Sequence, residues 1–364
     1  MNTLTVGFIG LGLIGGSIAK VLKKNRPDIY TIAYNRSEAP LKQAVADGVI
    51  DKASQVDESF LACDFIFLCT PVEYNSVYLE KLTPFIKKGC IVTDVGSVKG
   101  YIHHTVGQLG LEDCFIGGHP MAGSEKTGYS NASDILLENA FYAITPTKST
   151  TKDMLARYIE LVKLTGAIPV VLEPEHHDYS VAGISHVPHI IAASLVNLIK
   201  HSDDENGTMK LLAAGGFKDI TRIASSSPEM WEQICDTNSK PLVELLDRYI
   251  AELQDISASL KKDESDQKIL HMFESSREYR NSISAKNKGV LTADYSFSVD
   301  IEDEVGAIST ISVILASKGV SIKNMGINNS RDHGEGALRI SFYDEESEEK
   351  ARKVLERYRY DIRA

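Results

Sequence analysis

The chain has 364 residues, enough for two or three domains, and its 24% charged and 43% hydrophobic residues are typical of a globular protein. The formal net charge of −11 disfavours a phosphate-rich partner, so we do not predict nucleic-acid binding. No apolar run predicts a membrane span, and five cysteines without Cys-x-x-Cys spacing indicate reduced thiols in the cytoplasm, with neither disulfides nor a metal.

Short apolar strands alternate with helical patterns over the first 172 residues. Strands are predicted at residues 5–9, 30–34, 64–69 and 90–94, and a helix follows the first of them at residues 13–22. Near-continuous apolar strands separated by helices indicate a parallel sheet covered on both faces, which is the doubly wound α/β class. We therefore predict a Rossmann-type dinucleotide-binding domain over residues 1–172.

Strand patterns disappear after Glu173, and long helical patterns replace them at residues 176–200, 206–217, 230–260 and 265–282. Pro188 lies inside the first of these and should kink it. The helices are apolar enough to bury a face against a second copy. We predict an all-helical substrate and dimerisation domain over residues 173–285, and a homodimer.

A polar stretch at residues 281–291 predicts a linker to a third unit. The patterns that follow alternate as strand, helix, strand, strand, helix and a short final strand. This βαββαβ order is the ferredoxin-like arrangement, which we predict for residues 291–364.

A glycine motif, Gly10-Leu11-Gly12-Leu13-Ile14-Gly15, follows the first strand and opens the first helix. Such a motif provides a tight turn, a close backbone approach to a pyrophosphate, and close packing of helix on strand. The free N–H groups at the helix N-terminus favour the phosphates. With the strand ends around it, the motif predicts a nicotinamide dinucleotide site formed by Gly10, Gly12, Leu13, Ile14, Gly15, Asn35, Arg36, Ser37, Thr70, Gly96 and Ser97.

The end of the second strand lacks the acidic residue that would bind the ribose 2′-hydroxyl of NAD. Asn35-Arg36-Ser37 stands there instead, and an arginine accommodates the 2′-phosphate of NADP. The residues at this strand end therefore do not decide between NAD and NADP as the cofactor. Arg36 could equally stack on adenine or point to solvent.

One histidine, His119, lies in a stiff turn between glycines and before Pro120. The proline pushes His119 towards an extended backbone, which aims an imidazole into the cofactor domain. Ser97 ends an earlier strand at the sheet edge where ligands bind, and a hydroxyl there can meet both nicotinamide and imidazole. We predict His119 and Ser97 as catalytic residues; Ser97 could also cap the helix that follows it.

The helical half carries polar residues of its own. Two histidines at the predicted kink, His186 and His189, share one helix face. With His176 and His177 they could suggest a metal site, but no Asp or Cys completes a ligand set. We expect instead that one of the two binds an anionic substrate and that the other packs or caps. Arg222, with Asp219 beside it, can hold a carboxylate with its planar fork. Trp231 is a further candidate for the substrate pocket, although core packing would also explain it.

These motifs, in this order, resemble the prephenate dehydrogenase family over essentially the whole chain. The matching pieces are residues 10–17, 94–99, 118–125, 185–189 and 216–222. The resemblance implies oxidative decarboxylation of prephenate to 4-hydroxyphenylpyruvate with NAD(P)+, in tyrosine biosynthesis. It implies that neutral His119 accepts a hydrogen bond from the ring hydroxyl, that Ser97 orients His119 and the nicotinamide, and that Arg222 holds a substrate carboxylate.

Further roles follow from the resemblance. Ser185, His189 and Trp231 would line the pocket, and Glu125 with Asp219 would form an ionic gate near Arg222. The tail resembles an ACT domain, a frequent amino-acid sensor. This implies feedback by L-tyrosine at a site that includes Asp303, Gly306 and Asn324.

Three other functions compete with this interpretation. Arogenate dehydrogenase acts on the amino analogue of prephenate, and the sequence does not separate the two substrates. A β-hydroxyacid dehydrogenase would need a lysine acid/base in the helical half, and none is evident. A non-catalytic sensor of nucleotide and amino acid is disfavoured because the set of His119, Ser97 and Arg222 is complete.

Overall fold

A computed structural model describes residues 3–123, 126–261, 267–286, 295–301, 304, 306–329 and 336–363. Glu125 and Asp303, two of the predicted site residues, lie outside these described residues. The chain forms two compact units, residues 1–261 and residues 262–364.

The first unit begins with alternating strands and helices. Its strands are β1 (Thr5–Ile9), β2 (Tyr30–Tyr34), β3 (Lys52–Ala53), β4 (Phe65–Leu68), β5 (Ile91–Asp94), β6 (Ile116–Pro120), β7 (Phe141–Pro146) and β8 (Ile168–Val171). The helices between them are α1 (Leu13–Asn25), α2 (Glu38–Ala46), α3 (Val72–Leu82), α4 (Gly100–Leu109) and α5 (Lys152–Lys163).

Five of these strands form a parallel sheet in the order β3-β2-β1-β4-β5. The central strand β1 is buried along its whole length, as its unbroken apolar sequence predicts. The predicted parallel sheet of Rossmann type is confirmed. Apolar side chains cover both faces, with Phe8 stacked on Phe67 on one of them.

A second sheet, in the order β6-β7-β8, continues from the edge of the first through a bridge between Val92 and Phe115. Strands β6 and β7 are antiparallel, so the sheet region is not parallel throughout as the sequence patterns predicted. This pairing sets His119 opposite Ala143. The histidine therefore lies in a strand, although the glycines and Pro120 indicated a turn.

The remainder of the first unit is helical, which confirms the predicted helical region. Its helices are α6 (Pro174–Val181), α7 (Val187–Ser202), α8 (Thr208–Leu212), α9 (Gly215–Thr221), α10 (Pro228–Thr237) and α11 (Ser239–Leu260). A π-helical turn, Ala182–His186, joins α6 to α7 just before Pro188, and the N–H of Val187 donates to the carbonyl of Ala182. This wider turn is the local distortion that Pro188 predicted.

Two long predicted helices are in fact broken. The pattern at 206–217 forms α8 and α9 with a break at Ala213, and the pattern at 230–260 breaks at Asn238 between α10 and α11. The Asn238 amide donates to the carbonyl of Asp178, 3.0 Å away. A tertiary hydrogen bond therefore competes with the continuous helix that periodicity alone indicates.

The helical stretch Pro174–Ser202 is long and apolar enough to cross a membrane on length and composition alone. The sequence patterns did not predict this. One such helix is weak evidence for a membrane span, because core helices of globular proteins share this length and composition; 22% of its apolar 18-residue window is buried within the chain. Asp178 and His177, both buried and hydrogen-bonded, belong to the same stretch.

The second unit contains helix α12 (Gln267–Lys286) and a four-stranded antiparallel sheet. The sheet follows the order β10-β11-β9-β12. Its strands are β9 (Ser296–Ile301), β10 (Ile322–Asn329), β11 (Gly336–Phe342) and β12 (Ile362–Arg363), with helices α13 (Ala307–Ser317) and α14 (Glu345–Arg357). Phe297, Leu315 and Leu355 are buried in the core between sheet and helices.

Candidate active site

The glycine motif forms a turn that leaves open space above the start of α1; we call residues 10–15 the cofactor cradle. Gly10 has a φ of 97°, a conformation that favours glycine, and its N–H donates to the carbonyl of Tyr34 at 2.8 Å. A Cβ at Gly12 would meet nothing within 4 Å, whereas a Cβ at Gly15 would lie 2.5 Å from the carbonyl oxygen of Gly10. Gly12 thus leaves space for a ligand, and Gly15 allows close packing of α1 on the turn.

A cleft of about 280 Å³ extends from the cradle along the carboxyl ends of β2 and β4. Tyr34 and Tyr78 pack at its wall with ring centroids 5.5 Å apart. Aromatic side chains of this kind offer a face to a purine ring. The cleft is lined by Gly10, Leu11, Gly12, Tyr34, Asn35, Arg36, Ser37, Cys69, Thr70, Pro71, Tyr74 and Tyr78.

Asn35 holds the loop beside the cleft. Its Oδ1 accepts the N–H of Leu11 at 2.9 Å, and its Nδ2 donates to the carbonyl of Ser37 at 2.8 Å. Arg36 is exposed next to it and places a positive charge at the end of the cleft. The open space above Gly12 and the free N–H groups of Leu13 and Ile14 fit a dinucleotide pyrophosphate.

His119 lies on β6 and is tied to the helical half by another histidine. Its Nδ1 lies 2.9 Å from Nε2 of His177, with the two rings nearly perpendicular at 71°. His177 is only 1% exposed, and its Nδ1 lies 2.8 Å from Oδ1 of Asp178. Both partners belong to α6, so the first helix of the helical half positions the side chain that the Rossmann half presents.

Asp178 in turn holds the start of α4. Its two carboxylate oxygens accept the backbone N–H groups of Lys99 and Gly100, each at 2.7 Å. These are two of the N–H groups that a helix N-terminus leaves unpaired, and a carboxylate there is favoured by the helix dipole. The cap residue of α4 is Lys99 and not Ser97, which we predicted as a possible cap and which lies two residues before it.

The side chain of Lys99 is fully buried behind His119. Its Nζ donates to the carboxylate of Asp94 and to the carbonyl of Gly118, the latter at 2.7 Å. Asp94 also accepts the N–H groups of Gly96 and Gly118, at 2.9 and 3.2 Å. The buried charges are therefore paired and hydrogen-bonded, as the cost of burying charge requires. We call Asp94, Lys99, His119, His177 and Asp178 the polar chain.

The surroundings of His119 favour a neutral imidazole. Burial lowers its pKa well below the usual value, and His177, Lys99 and His186 lower it further. Burial also lowers the pKa of His186 to about 4. A neutral imidazole has one acceptor nitrogen, which suits a group that must accept a hydrogen bond from a hydroxyl.

Ser97 and Gly96 follow β5 at the same sheet edge as the polar chain. Gly96 donates its N–H to Asp94, while no hydrogen bond joins Ser97 to His119 within the residues that the structure describes. The Nδ1 of His119 is occupied by His177 instead. Any contact of Ser97 with the imidazole would therefore involve its other nitrogen or a bound substrate.

The helical half contributes a stacked aromatic pair. His189 and Trp231 lie face to face with ring centroids 3.8 Å apart, and Nδ1 of His189 lies 2.8 Å from the carbonyl of Ser185. The indole Nε1 of Trp231 is buried without a hydrogen-bond partner among the described residues. The π-helical turn before Pro188 sets Ser185 and His189 at this place.

Arg222 and Asp219 are exposed at the junction of α9 and the short 3-10 helix Arg222–Ser225. Both elements pack against α7, the helix that carries His189. The short helix that begins at Arg222 is therefore packed against α7, the helix that contributes His189 to the stacked pair. Glu125, the other half of the predicted ionic gate, lies outside the described residues.

Several members of the polar chain were missed at the level of sequence. Asp94 and Lys99 stood in a quoted motif without an assigned role, and His177 was considered only as a metal ligand. The sequence features that could have revealed them were a lysine five residues after a strand-ending aspartate, and a His-Asp pair in the first turns of a helix. The contacts that join these two local pairs to each other and to the strand of His119 span 19 to 79 residues, so no local pattern shows them.

Two family models match the first unit and part of the second. The model of the prephenate dehydrogenase nucleotide-binding domain matches residues 18–171, and that of the prephenate dehydrogenase dimerization domain matches residues 173–275. A prephenate dehydrogenase of Bacillus subtilis is 39% identical over 355 residues, which is 97% of this chain and 95% of that protein.

Solved structures show the same likeness. Prephenate dehydrogenase from Aquifex aeolicus, in complex with hydroxyphenyl propionate and NAD+, is similar with a TM-score of 0.69 and 30% identity, over 79% of this chain and 98% of that one. Synechocystis arogenate dehydrogenase is similar with a TM-score of 0.70 and 30% identity, over 77% of this chain and 100% of that one.

Proposed function

The chain belongs to the prephenate dehydrogenase family, and on that premise we propose how its own residues carry out the reaction. The protein is an oxidoreductase that converts prephenate and NAD+ to 4-hydroxyphenylpyruvate, carbon dioxide and NADH. A hydride leaves C4 of the ring for the nicotinamide, and the ring carboxylate departs as carbon dioxide. Aromatisation drives the reaction, so the protein has mainly to position and polarise the substrate.

His119 is the group that accepts a hydrogen bond from the C4 hydroxyl. As the hydride leaves, the C4–O bond gains carbonyl character and its proton becomes more acidic, so an acceptor stabilises the transition state more than the ground state. The observation that carries this role is the lowered pKa of His119. It keeps the imidazole neutral at neutral pH, whereas a protonated imidazolium could only donate a hydrogen bond. Ser97, at the same sheet edge, would orient the nicotinamide and His119, as the family resemblance implies.

The substrate carboxylates are bound from the helical half. Arg222 supplies a fork for one carboxylate, and Ser185 and His189 contact the substrate beside Trp231. The indole N–H of Trp231, which has no hydrogen-bond partner in the part of the chain that the structure describes, adds a buried donor to this pocket. The family resemblance pairs Asp219 with Glu125 as an ionic gate near Arg222, and of these two only Asp219 is among the described residues. Substitution of Arg222 by alanine should raise the KM for prephenate and leave kcat less affected.

One assay tests this function directly. Purified protein is given prephenate or arogenate, each with NAD+ or NADP+, and the reduced cofactor is followed by its absorbance. We expect turnover with prephenate and NAD+. The absence of turnover with every pair would contradict the proposal.

Arogenate dehydrogenase is the second candidate, favoured by the likeness to the Synechocystis enzyme of that name. The two substrates differ only in a keto or amino group on the side chain. A higher kcat/KM for arogenate than for prephenate in the same assay would select it. A non-catalytic sensor is disfavoured because the chain combines an open cofactor cradle with a hydrogen-bonded His119 whose pKa is lowered.

Residues 291–364, the part of the second unit after α12, are proposed to form an ACT domain with a ferredoxin-like fold that binds L-tyrosine. Its support is the βαββαβ order of the described elements and the sheet order β10-β11-β9-β12. Gly306 precedes α13, where a carboxylate can be received, and Asn324 lies on β10. A chain ending at residue 286 that stays active should lose inhibition by tyrosine. Retained inhibition would indicate competition at the active site.

The protein is a cytoplasmic homodimer. The boundaries between the three domains of each chain lie near residues 172 and 285–291. The family model for residues 173–275 describes a dimerization domain, and apolar side chains such as Ile184, Leu198 and Leu211 are exposed on the helices of this region. A second copy would cover them. Light scattering at the elution peak should give twice the mass of one chain.

A further inference from the structure

The direction of the hydrogen bonds in the polar chain can be worked out from its fixed end. A neutral imidazole has one N–H donor and one acceptor nitrogen, and which is which decides what His119 presents to a substrate. Both oxygens of Asp178 accept backbone N–H groups, those of Lys99 and Gly100. A backbone amide only donates, so the carboxylate of Asp178 acts as an acceptor on both sides.

The protons then follow one by one along the chain. His177 Nδ1, 2.8 Å from Asp178 Oδ1, must carry a hydrogen and donate it. In a neutral His177 the Nε2 is then an acceptor, so the Nδ1 of His119, 2.9 Å away, carries the hydrogen of that contact. The Nε2 of His119 consequently keeps its lone pair.

We infer that His177 is a positioning residue which, backed by Asp178, holds His119 in the Nδ1–H tautomer and leaves its Nε2 as the acceptor for the substrate hydroxyl. This inference rests on the proposed function of His119. The opposite tautomer would present an N–H to the hydroxyl and would oppose the growth of carbonyl character at C4. An imidazole in the wrong tautomer loses its acid–base function although its position is unchanged.

A packing role for His177 is the competing explanation, because the side chain is almost completely buried. Two substitutions separate the explanations. H177F keeps a ring of similar shape but offers no acceptor to the Nδ1–H of His119. H177Q offers a side-chain oxygen near the position of Nε2, although it fills the space less well. The exposed neighbour His176 provides a matched control, H176F.

Steady-state kinetics with prephenate and NAD+ give the first readout. We expect H177F to lower kcat by roughly 10²-fold with KM for prephenate changed about twofold or less, because the lost contact acts in the transition state. H177Q should recover at least about tenfold of that loss, and H176F should match the wild type. Equal kcat in H177F and wild type, or a poorer H177Q than H177F, would overturn the inference.

The second readout does not depend on turnover. Long-range proton–nitrogen correlations of ring-¹⁵N-labelled histidine in the full chain report the tautomer of each imidazole, and H119N identifies the signal of His119. We expect the Nδ1–H form in the wild type and its loss in H177F. An Nε2–H form in the wild type would overturn the inference even if the enzyme is active. An inactive wild type with the Nδ1–H form would instead count against the proposed function alone.

Discussion

The cofactor cradle and the polar chain lie at the same edge of the sheet but are built in different ways. The cradle is made by consecutive residues, 10–15, whose backbone alone creates the space above Gly12. The polar chain joins side chains from β5, β6, the start of α4 and α6, across up to 79 residues of sequence. A site built from backbone is visible in a motif, whereas a site built from distant side chains becomes visible only in the fold.

The largest expected effect comes from breaking the charge pair in the polar chain. K99M removes the partner of the buried Asp94 carboxylate and should lower the free energy of unfolding by about 3–5 kcal/mol. Urea unfolding followed by circular dichroism measures it. Adding D94N to K99M should restore part of the lost stability, because the double variant no longer buries the Asp94 carboxylate without a partner. A K99M protein as stable as the wild type would contradict the pairing.

Acid should destabilise the buried histidines, His119 of the polar chain together with His103 and His186, before it affects the cradle. The pKa values of His119, His103 and His186 are all lowered by burial, that of His186 to about 4. The unfolded chain therefore binds more protons than the folded chain below about pH 6.5, so stability is complete above that pH and falls as the pH drops towards about 4.

Protonation of His186 alone should lower the free energy of unfolding by at most ~3 kcal/mol, since one pKa unit corresponds to about 1.4 kcal/mol. Urea unfolding across this pH range measures it, with H186Q as the comparison. The variant should lose less stability on acidification than the wild type. Parallel stability curves for the two proteins would show that His186 is not buried as a neutral group.

Two alanine substitutions within the cradle should distinguish a glycine that leaves room for the cofactor from one that allows α1 to pack closely. G12A places a Cβ where the chain has no atoms within 4 Å, so stability should change by about 0.5 kcal/mol or less while KM for NAD+ rises by about tenfold or more. G15A places a Cβ 2.5 Å from the Gly10 oxygen and should destabilise the fold by about 1–3 kcal/mol. Similar effects of both changes on stability would contradict this division.

The smallest expected effect concerns the choice between NAD and NADP. R36A removes a positive charge at the ribose end of the cleft and should lower kcat/KM for NADP+ by about tenfold with little change for NAD+. N35D supplies the missing acid and should shift the ratio in the same direction. If both variants keep the wild-type ratio, the cofactor is not selected at this loop.

The two regions differ in how far sequence reasoning could predict them. The turn at Gly10, the space at Gly12 and the buried strand β1 follow from local patterns, because glycine geometry and apolar runs act over a few residues. The antiparallel pairing of β6 with β7 and the break at Asn238 do not, since each depends on a partner distant in sequence. Ser97 was expected to orient His119, whereas His177 occupies its Nδ1.

The central claim is that neutral His119 accepts the hydrogen bond of the substrate hydroxyl during hydride transfer. The most direct test is to measure kcat of H119N with prephenate and NAD+, together with the affinity of the variant for prephenate by equilibrium binding. The account predicts that kcat falls by about 10²–10⁴-fold while prephenate still binds with an affinity close to that of the wild type. A variant that keeps near-normal turnover would contradict it.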